Sequence, residues 1–232
     1  MSSILMVLSA ATELRLSDGT LHPTGFWAEE VAEPHRLFSE AGLTVIFATP
    51  GGVVPTVDPA SLSEQGGVEP EAAARFRAYL DGIAPALENP VALEDTSLEH
   101  IDALFLPGGH APMADLVDHP GLGALLADAD RDGLPITALC HGLAGLLSAR
   151  NDDGFLFAGR RLTSFSDVEE QQGGLGELSP FLLESRLRES GAVVATDAPW
   201  SSHLVIDGNL LTGQNPQSSA VTANALIDLL SA

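Results

Sequence analysis

Short apolar runs alternate with longer amphipathic stretches along most of this 232-residue chain. The short runs predict strands at Ile4–Ser9, Thr44–Ala48, Ala103–Leu106, Ile136–Leu139 and Arg161–Ser164. The longer stretches predict helices at Gly25–Ala41, Glu69–Ile83, Gly121–Asp132, His141–Ala149, Pro180–Ser190 and Pro216–Leu230. Apolar strands that alternate with helices predict a mostly parallel sheet covered on both faces, which is the doubly wound α/β arrangement.

Two other segments complete the expected organisation. The sequence Leu204-Val-Ile-Asp-Gly-Asn-Leu-Leu is typical of a β-hairpin with a turn at Asp207-Gly208. The stretch from Pro50 to Glu71 is rich in Gly, Pro and Ser, which predicts a long loop over the sheet instead of a linker. We therefore expect a single domain over residues 1–232.

Charge and cysteine content exclude several classes of protein. Ten basic residues, all of them Arg, stand against 32 acidic ones, and the resulting net charge of −22 repels nucleic acid and anionic membranes. One cysteine allows no intramolecular disulfide and no cysteine-based zinc site, and the seven histidines lack the H-E-x-x-H spacing. We predict no metal, no cofactor and no nucleic-acid partner.

The hydropathy pattern gives no sign of a membrane segment. No apolar run approaches the roughly 20 residues that a transmembrane helix needs. The first ten residues lack the basic region of a signal peptide. We expect a soluble, cytoplasmic protein without a membrane partner.

The junction at Cys140 carries the strongest chemical signal. An apolar run ending at Leu139 leads into Cys-His-Gly, and Leu143 then begins a predicted helix. A nucleophile at such a turn lies at the carboxyl edge of the sheet, where open α/β folds bind ligands, as in the nucleophile elbow of hydrolases. Because the first N–H groups of a helix favour an anion, the position predicts a lowered pKa for the thiol. The alternative is an inert buried cysteine.

A carboxyl and a glycine turn are further candidates for the same site. Pro34 lacks an N–H and would clash with the carbonyl of Glu30, so a helix distortion or junction is expected at Glu30. Its carboxyl is either fixed in position by this local geometry or exposed to solvent like that of an ordinary surface glutamate. The glycines of Pro107-Gly-Gly-His110 follow a strand, so they form either an oxyanion-binding turn or a plain turn.

An acidic segment follows the next predicted strand. Its sequence is Ser164-Phe-Ser-Asp-Val-Glu169-Glu170. A carboxylate from this segment could orient the imidazole of His141, since a Cys–His pair needs a third group for that purpose. The alternative is an acidic helix N-terminus stabilised by the helix dipole.

In chain order, these motifs resemble the ThiJ/PfpI superfamily, also called class I glutamine amidotransferase-like. Within it, they are most similar to the glutathione-independent glyoxalase (glyoxalase III) and heat-shock chaperone branch. The resemblance covers nearly the whole chain. Its marks are Asp18-Gly19, Thr24-Gly-Phe-Trp27, Glu30 with Pro34, Ala48-Thr-Pro-Gly-Gly52, Asp58-Pro59, Pro107-Gly-Gly-His110, Cys140-His-Gly142, Phe165-Ser-Asp-Val-Glu-Glu170, Ala198-Pro-Trp200 and Leu211-Thr-Gly-Gln-Asn-Pro216.

The resemblance implies a flavodoxin-like, three-layer α/β/α sandwich and a homodimer. It also implies that Cys140 is the nucleophile, that His141 is its neighbouring base and that Glu30 is the carboxyl in contact with the cysteine. One departure concerns Leu143, because many members of the branch have Pro after His-Gly. That change bears on substrate choice more than on mechanism.

The remaining site residues also follow from the resemblance. Glu170, with Glu169 as the alternative, would orient the histidine, and the turn at Gly109 and His110 would bind the oxyanion. The implied activity is a cofactor-free conversion of methylglyoxal, or a similar small 2-oxoaldehyde, to a 2-hydroxy acid through a cysteine hemithioacetal. In this reaction Glu30 would keep its proton at neutral pH, because a carboxyl beside a thiolate in a dry pocket has a raised pKa. Deglycase activity would use the same groups.

Other functions remain open on the same scaffold. A holdase-type stress chaperone would need a large exposed apolar patch. A cysteine-dependent amidase or peptidase is a second alternative, although Leu204 and Val205 follow His203 where a glutamine amidotransferase has an H-x-E pair. Isocyanide hydration is a third. The Thr24–Glu30 and Phe165–Glu170 motifs favour the glyoxalase branch.

Overall fold

The computed structural model describes residues 2–231, which contain thirteen strands and eight α-helices. The strands are β1 (Ser3–Val7), β2 (Glu13–Arg15), β3 (Leu21–Pro23), β4 (Thr44–Thr49), β5 (Val91–Ala92), β6 (Ala103–Leu106), β7 (Ile136–Leu139), β8 (Arg150–Asn151), β9 (Gly154–Phe155), β10 (Arg161–Leu162), β11 (Val193–Val194), β12 (Leu204–Asp207) and β13 (Leu210–Gly213). The helices are α1 (Ala28–Glu40), α2 (Pro70–Gly82), α3 (Ala84–Leu87), α4 (Pro112–Asp115), α5 (Pro120–Asp132), α6 (Asp167–Gly173), α7 (Leu183–Glu189) and α8 (Ser219–Ser231).

Seven of these strands form the central sheet, in the order β12-β13-β7-β6-β1-β4-β5. All neighbours run parallel except β12, which forms an antiparallel hairpin with β13. The order changes direction around β1, so consecutive crossovers place helices on opposite faces. The doubly wound, mostly parallel α/β sandwich predicted from the sequence is thereby confirmed.

The sheet separates two hydrophobic cores. Along β1, Leu5 and Val7 belong to one core, whereas Ile4 and Met6 belong to the other. The first core also contains apolar residues of α5 and α7, and the second contains those of α1, α2 and α8. Alternate residues of a strand point to opposite faces, so a strand that is apolar throughout must be covered on both sides.

Several boundaries differ from the sequence prediction. The Arg161–Ser164 strand is reduced to β10, which pairs with β11 outside the central sheet. The helix expected from Pro180 begins at Leu183. In the predicted hairpin, Asp207 pairs with Leu210, which leaves Gly208 and Asn209 as the turn, one residue later than expected. Within residues 2–231, no helix combines the length and hydropathy that crossing a bilayer requires.

Candidate active site

The strand-to-helix turn after β7 holds Cys140 in a strained backbone conformation. Its φ is 56°, a value in the left-handed region that residues other than glycine seldom adopt. The segment Cys140–Ser148 continues as a 3₁₀ helix, so the α-helix predicted at His141–Ala149 is wrong. Close packing accounts for part of this geometry, because a Cβ on Gly142 would overlap the carbonyl of Leu106 in the neighbouring strand.

The carboxyl of Glu30 lies beside this turn and is fully buried. The helix that carries it runs from Ala28 through Pro34, so Glu30 lies in the first turn of an unbroken helix and not at a distortion. Its Oε2 accepts a hydrogen bond of 2.7 Å from the backbone N–H of Gly108. Its Oε1 is buried without a conventional hydrogen-bond partner among the described residues. This oxygen is therefore the one available to the thiol and to a substrate.

Burial raises the pKa of Glu30 to about 8, although the bonds from Gly108 and Cys140 act in the opposite direction. Burial, with the adjacent Glu30 carboxylate, also raises the pKa of the Cys140 thiol well above its ordinary value. The lowered thiol pKa predicted from the helix N-terminus is wrong, because desolvation outweighs the backbone N–H of His141. Two neighbouring groups that both resist ionisation retain their protons at neutral pH.

His141 links the cysteine to a second carboxylate. Its Nδ1 lies 3.4 Å from Cys140 Sγ, and its Nε2 lies 2.6 Å from Glu170 Oε2. Burial and the nearby His110 lower the pKa of His141, so its ring is neutral near pH 7. A neutral imidazole that donates Nε2–H to a carboxylate has an unprotonated Nδ1, and here that atom faces the thiol.

Glu170 is shared between two histidines. Its other oxygen, Oε1, lies 2.9 Å from Nε2 of His110, whose ring centroid is 4.1 Å from that of His141. Burial alone would raise the pKa of Glu170, but the two imidazoles lower it below its ordinary value. The carboxylate is therefore ionised and holds both rings in place.

The neighbouring Glu169 points away from the histidine. Its oxygens accept hydrogen bonds from Ser166, Trp200, Gln214 and Asn215. With Ser166 it forms a capping box at the start of α6, so the acidic-terminus interpretation describes Glu169 and the orienting interpretation describes Glu170. The structure brings Glu170, and not Glu169, to the ring.

The turn at Gly109 forms another wall of the site. Its φ is 86°, and a Cβ there would overlap the carbonyl of Gly25. Among the described residues, the N–H of Gly109 has no hydrogen-bond partner. The predicted oxyanion role of Gly109 and His110 stays a prediction; the structure places both residues in the wall of the cavity that contains Cys140.

One group in the described part of the chain has metal-ligand geometry. The ligand atoms of His110, His141 and Glu170 all lie within 4.8 Å of one another. Their mutual hydrogen bonds account for this proximity without an ion. The expectation that no metal or cofactor takes part stays a prediction.

The cavity above Cys140 has a volume of about 900 Å³. Its wall also contains aromatic and imidazole side chains whose role the sequence does not indicate, among them His22, Trp27, Phe165 and Trp200. The ring of Phe165 packs at a tilt against His141, at 4.5 Å between ring centroids, and His22 contacts His110 edge-on at 6.4 Å. Trp27, Phe165 and Trp200 belong to motifs of the family signature, whereas no local sequence pattern indicates that His22 reaches this cavity.

The fold is doubly wound α/β, and it carries a cysteine at the turn after a central strand, with a histidine next in sequence and a buried carboxyl beside it. These features are typical of α/β proteins that have a cysteine at the nucleophile elbow. A family model described as ThiJ/PfpI family-like matches residues 21–154, and the chain belongs to this family. The superfamily indicated by the motifs is thereby confirmed.

Relatives and a solved structure support the same placement. Glyoxalase 3 of Candida albicans is 25% identical to the chain, with 98% of each sequence covered. The glutathione-independent glyoxalase hsp3102 of Schizosaccharomyces pombe is 29% identical, with 89% of each covered. The crystal structure of Rapid Encystment Protein 24 KDa from Francisella tularensis matches with a TM-score of 0.87 at 27% identity and covers 99% of both chains.

Proposed function

We propose that this protein is a cofactor-free, glutathione-independent glyoxalase, a lyase that converts methylglyoxal or a similar 2-oxoaldehyde to a 2-hydroxy acid. One observation carries the proposal. The Cys140 thiol lies between a bare imidazole nitrogen of His141, 3.4 Å away, and the buried carboxyl of Glu30, whose pKa is about 8. The two relatives named as glyoxalases, aligned over most of their length, support the same reaction.

The first step is addition of the thiol to the aldehyde. Nδ1 of His141 is positioned to take the thiol proton as Sγ bonds to the aldehyde carbon. The aldehyde oxygen gains a proton from the carboxyl of Glu30, so no free thiolate has to persist beforehand. This fits a thiol of raised pKa, and the product is a hemithioacetal.

The second step moves hydrogen between the two carbons. A base takes the proton from the carbon that bears sulfur, which gives an enediol, and the other carbon is then protonated. Before this step the imidazolium of His141 returns its proton through the hemithioacetal hydroxyl to the carboxylate of Glu30, so that both groups regain their starting states. The neutral His141 is then the base, and Glu170 stabilises the imidazolium formed on it. The N–H of Gly109 would stabilise the developing oxyanion. The resulting thioester is hydrolysed by water, which releases the 2-hydroxy acid and regenerates the thiol.

The same proposal includes the cellular setting expected from the sequence. We propose a cytoplasmic homodimer built from single-domain subunits over residues 1–232. The single domain is supported by the central sheet, which combines strands from both ends of the chain, such as β1 and β13. Deglycase activity on glycated thiols or amines would use the same cysteine.

Lactate formation from methylglyoxal, without glutathione or added metal, tests the function. We expect turnover by the parent, loss of at least about 10³-fold in Cys140→Ala and loss of about 10²-fold or more in Glu30→Gln. Ser148→Ala serves as a matched control, since its hydroxyl bonds only the Gly145 carbonyl in the same 3₁₀ segment. Absence of turnover by folded, fully reduced parent protein would overturn the proposal.

A further inference from the structure

Trp200 adopts a backbone conformation that its local sequence does not favour. Its φ is 63°, in the left-handed region, where a bulky residue is uncommon. Such a conformation is unfavourable and persists only where surrounding contacts impose it.

The buried carboxylate of Glu169 supplies these contacts. Its Oε1 accepts a 2.8 Å hydrogen bond from the backbone N–H of Trp200 and a 2.7 Å bond from Asn215 Nδ2. Asn215 also donates to the carbonyl of Ser201, which fixes the other side of the same loop. Hydrogen bonds to a charged acceptor are the stronger kind. Glu169 thus ties the Trp200 loop to the helix that carries Glu170.

The Trp200 side chain extends this arrangement toward the reacting groups. Its ring packs edge-on against Phe165 at 5.6 Å between centroids, and Phe165 in turn packs against the ring of His141. Its Nε1–H donates to Gln172 Oε1, at 2.5 Å, on the last turn of α6. The ring is 41% exposed and lines the cavity, so it forms an outer wall that can contact a ligand.

The cavity offers more room than methylglyoxal fills. Its volume of about 900 Å³ lies in the range of pockets that enclose drug-sized ligands. Trp27 and Phe76 contribute further aromatic surface to the wall. The charged side chains that line it are mostly acidic and include one arginine; they are Glu29, Asp58, Glu64, Glu69, Glu170 and Arg75. An anionic substituent on the substrate would be repelled, whereas a neutral aromatic group fits.

We propose that Trp200 is a specificity-determining residue for 2-oxoaldehydes that carry a neutral aromatic group, and that Glu169 is the positioning residue that holds it. This inference rests on the proposed glyoxalase function. The aromatic group stacks along Trp200 and Phe165 while the aldehyde reaches Cys140. Glu169 acts only through the loop, and it contacts no substrate.

Initial rates with phenylglyoxal and methylglyoxal test this inference. In Trp200→Ala we expect kcat/KM to fall at least about 5-fold more for phenylglyoxal than for methylglyoxal, mainly through KM, because one stacked ring contributes about 1 kcal/mol, which is a factor of about 5. In Glu169→Gln the ratio of kcat/KM for phenylglyoxal to that for methylglyoxal falls by about 3-fold or more. Trp200→Phe, which keeps an aromatic ring, retains most of the ratio that Trp200→Ala loses. Ile206→Ala, an exposed apolar residue outside the cavity, is the matched control.

Equal losses for both aldehydes in Trp200→Ala, or an unchanged ratio in both variants, overturn the inference. Calorimetric binding of 2-hydroxyacetophenone to Cys140→Ala protein separates it from the proposed function, since this probe needs no turnover. If the probe binds more weakly to the double variant Cys140→Ala/Trp200→Ala than to Cys140→Ala, the aromatic wall is supported even if neither aldehyde is converted. If the probe binds the two variants equally, Trp200 does not contact the ligand, and the inference is rejected even if methylglyoxal is a substrate.

Discussion

Two buried carboxyl groups, Glu30 at the cysteine elbow and Glu169 at the start of α6, are treated by the fold in opposite ways. Both are fully buried. Glu30 receives one backbone hydrogen bond and keeps one oxygen without a conventional partner. Glu169 receives five, from Ser166 (two), Trp200 and two amide side chains. The number of donors therefore decides which carboxyl keeps an oxygen available to other groups and which has both oxygens occupied.

The same contrast appears in the strained residues that accompany them. Cys140 and Trp200 both have a positive φ, of 56° and 63°. Cys140 is held by the close packing of its 3₁₀ segment against Leu106, whereas Trp200 is held by the carboxylate of Glu169. One region therefore stores its strain at the cysteine, and in the other a hydrogen bond to a buried carboxyl group shapes the cavity wall.

The largest expected effect is on stability at Glu169. Glu169→Ala leaves five donors without their acceptor, several of them buried, and we expect the free energy of unfolding to fall by about 3–4 kcal/mol. Urea unfolding followed by circular dichroism measures the change. Glu30→Gln at mildly acidic pH, where the parent carboxyl is already neutral, should change it by less than about 1 kcal/mol. Equal losses in the two variants would remove the contrast between the carboxyls.

A pH-dependent effect on stability is expected at Glu30. Its pKa is raised from 4.5 to about 8, so the stability that it contributes is fully present below pH 4.5 and is lost as pH rises toward 8. At about 1.4 kcal/mol per pKa unit, the parent should lose ~3 kcal/mol more than Glu30→Gln between pH 4.5 and pH 7. Denaturant unfolding of both proteins across the window measures the difference. Parallel pH profiles would mean that Glu30 is ionised in the folded protein.

The smallest effect concerns the elbow backbone. Glycine carries no penalty at the φ of 56° found at Cys140, so Cys140→Gly should be more stable than Cys140→Ala by about 1 kcal/mol. Thermal unfolding of the two inactive variants provides the comparison. At Ala138, in the middle of β7, Ala→Gly should have the opposite sign. A less stable Cys140→Gly would indicate that the turn is not strained.

The fold was largely predictable because its signal is local. Residues 103–106 and 136–139 are continuous apolar runs, and the structure has strands at these bounds. The segment after Cys140 was predicted incorrectly as an α-helix, since apolar periodicity does not distinguish an α-helix from a 3₁₀ helix that is buried on all sides.

The candidate site was predictable only in part. Its residue types and order carried a family signature, which named Cys140, His141 and Glu170 before their contacts were known. The sign of the Cys140 pKa shift was not predictable, because it depends on how much water the fold removes and on the distant residue Glu30. His22, on strand β3, and Trp200, in the loop before β12, reach the cavity through segments whose paths no local pattern specifies.

The sequence by itself determined the alternation of strands and helices, the acidic surface and the presence of a lone cysteine at a strand end. Only the tertiary structure decided which of two adjacent glutamates orients His141, because helix α6 turns neighbouring side chains in different directions. It also decided that Glu30 keeps one oxygen without a conventional partner and has a raised pKa, whereas both oxygens of Glu169 accept hydrogen bonds. Protonation depends on the donors and the water around a carboxyl, and these come from segments far apart in the chain.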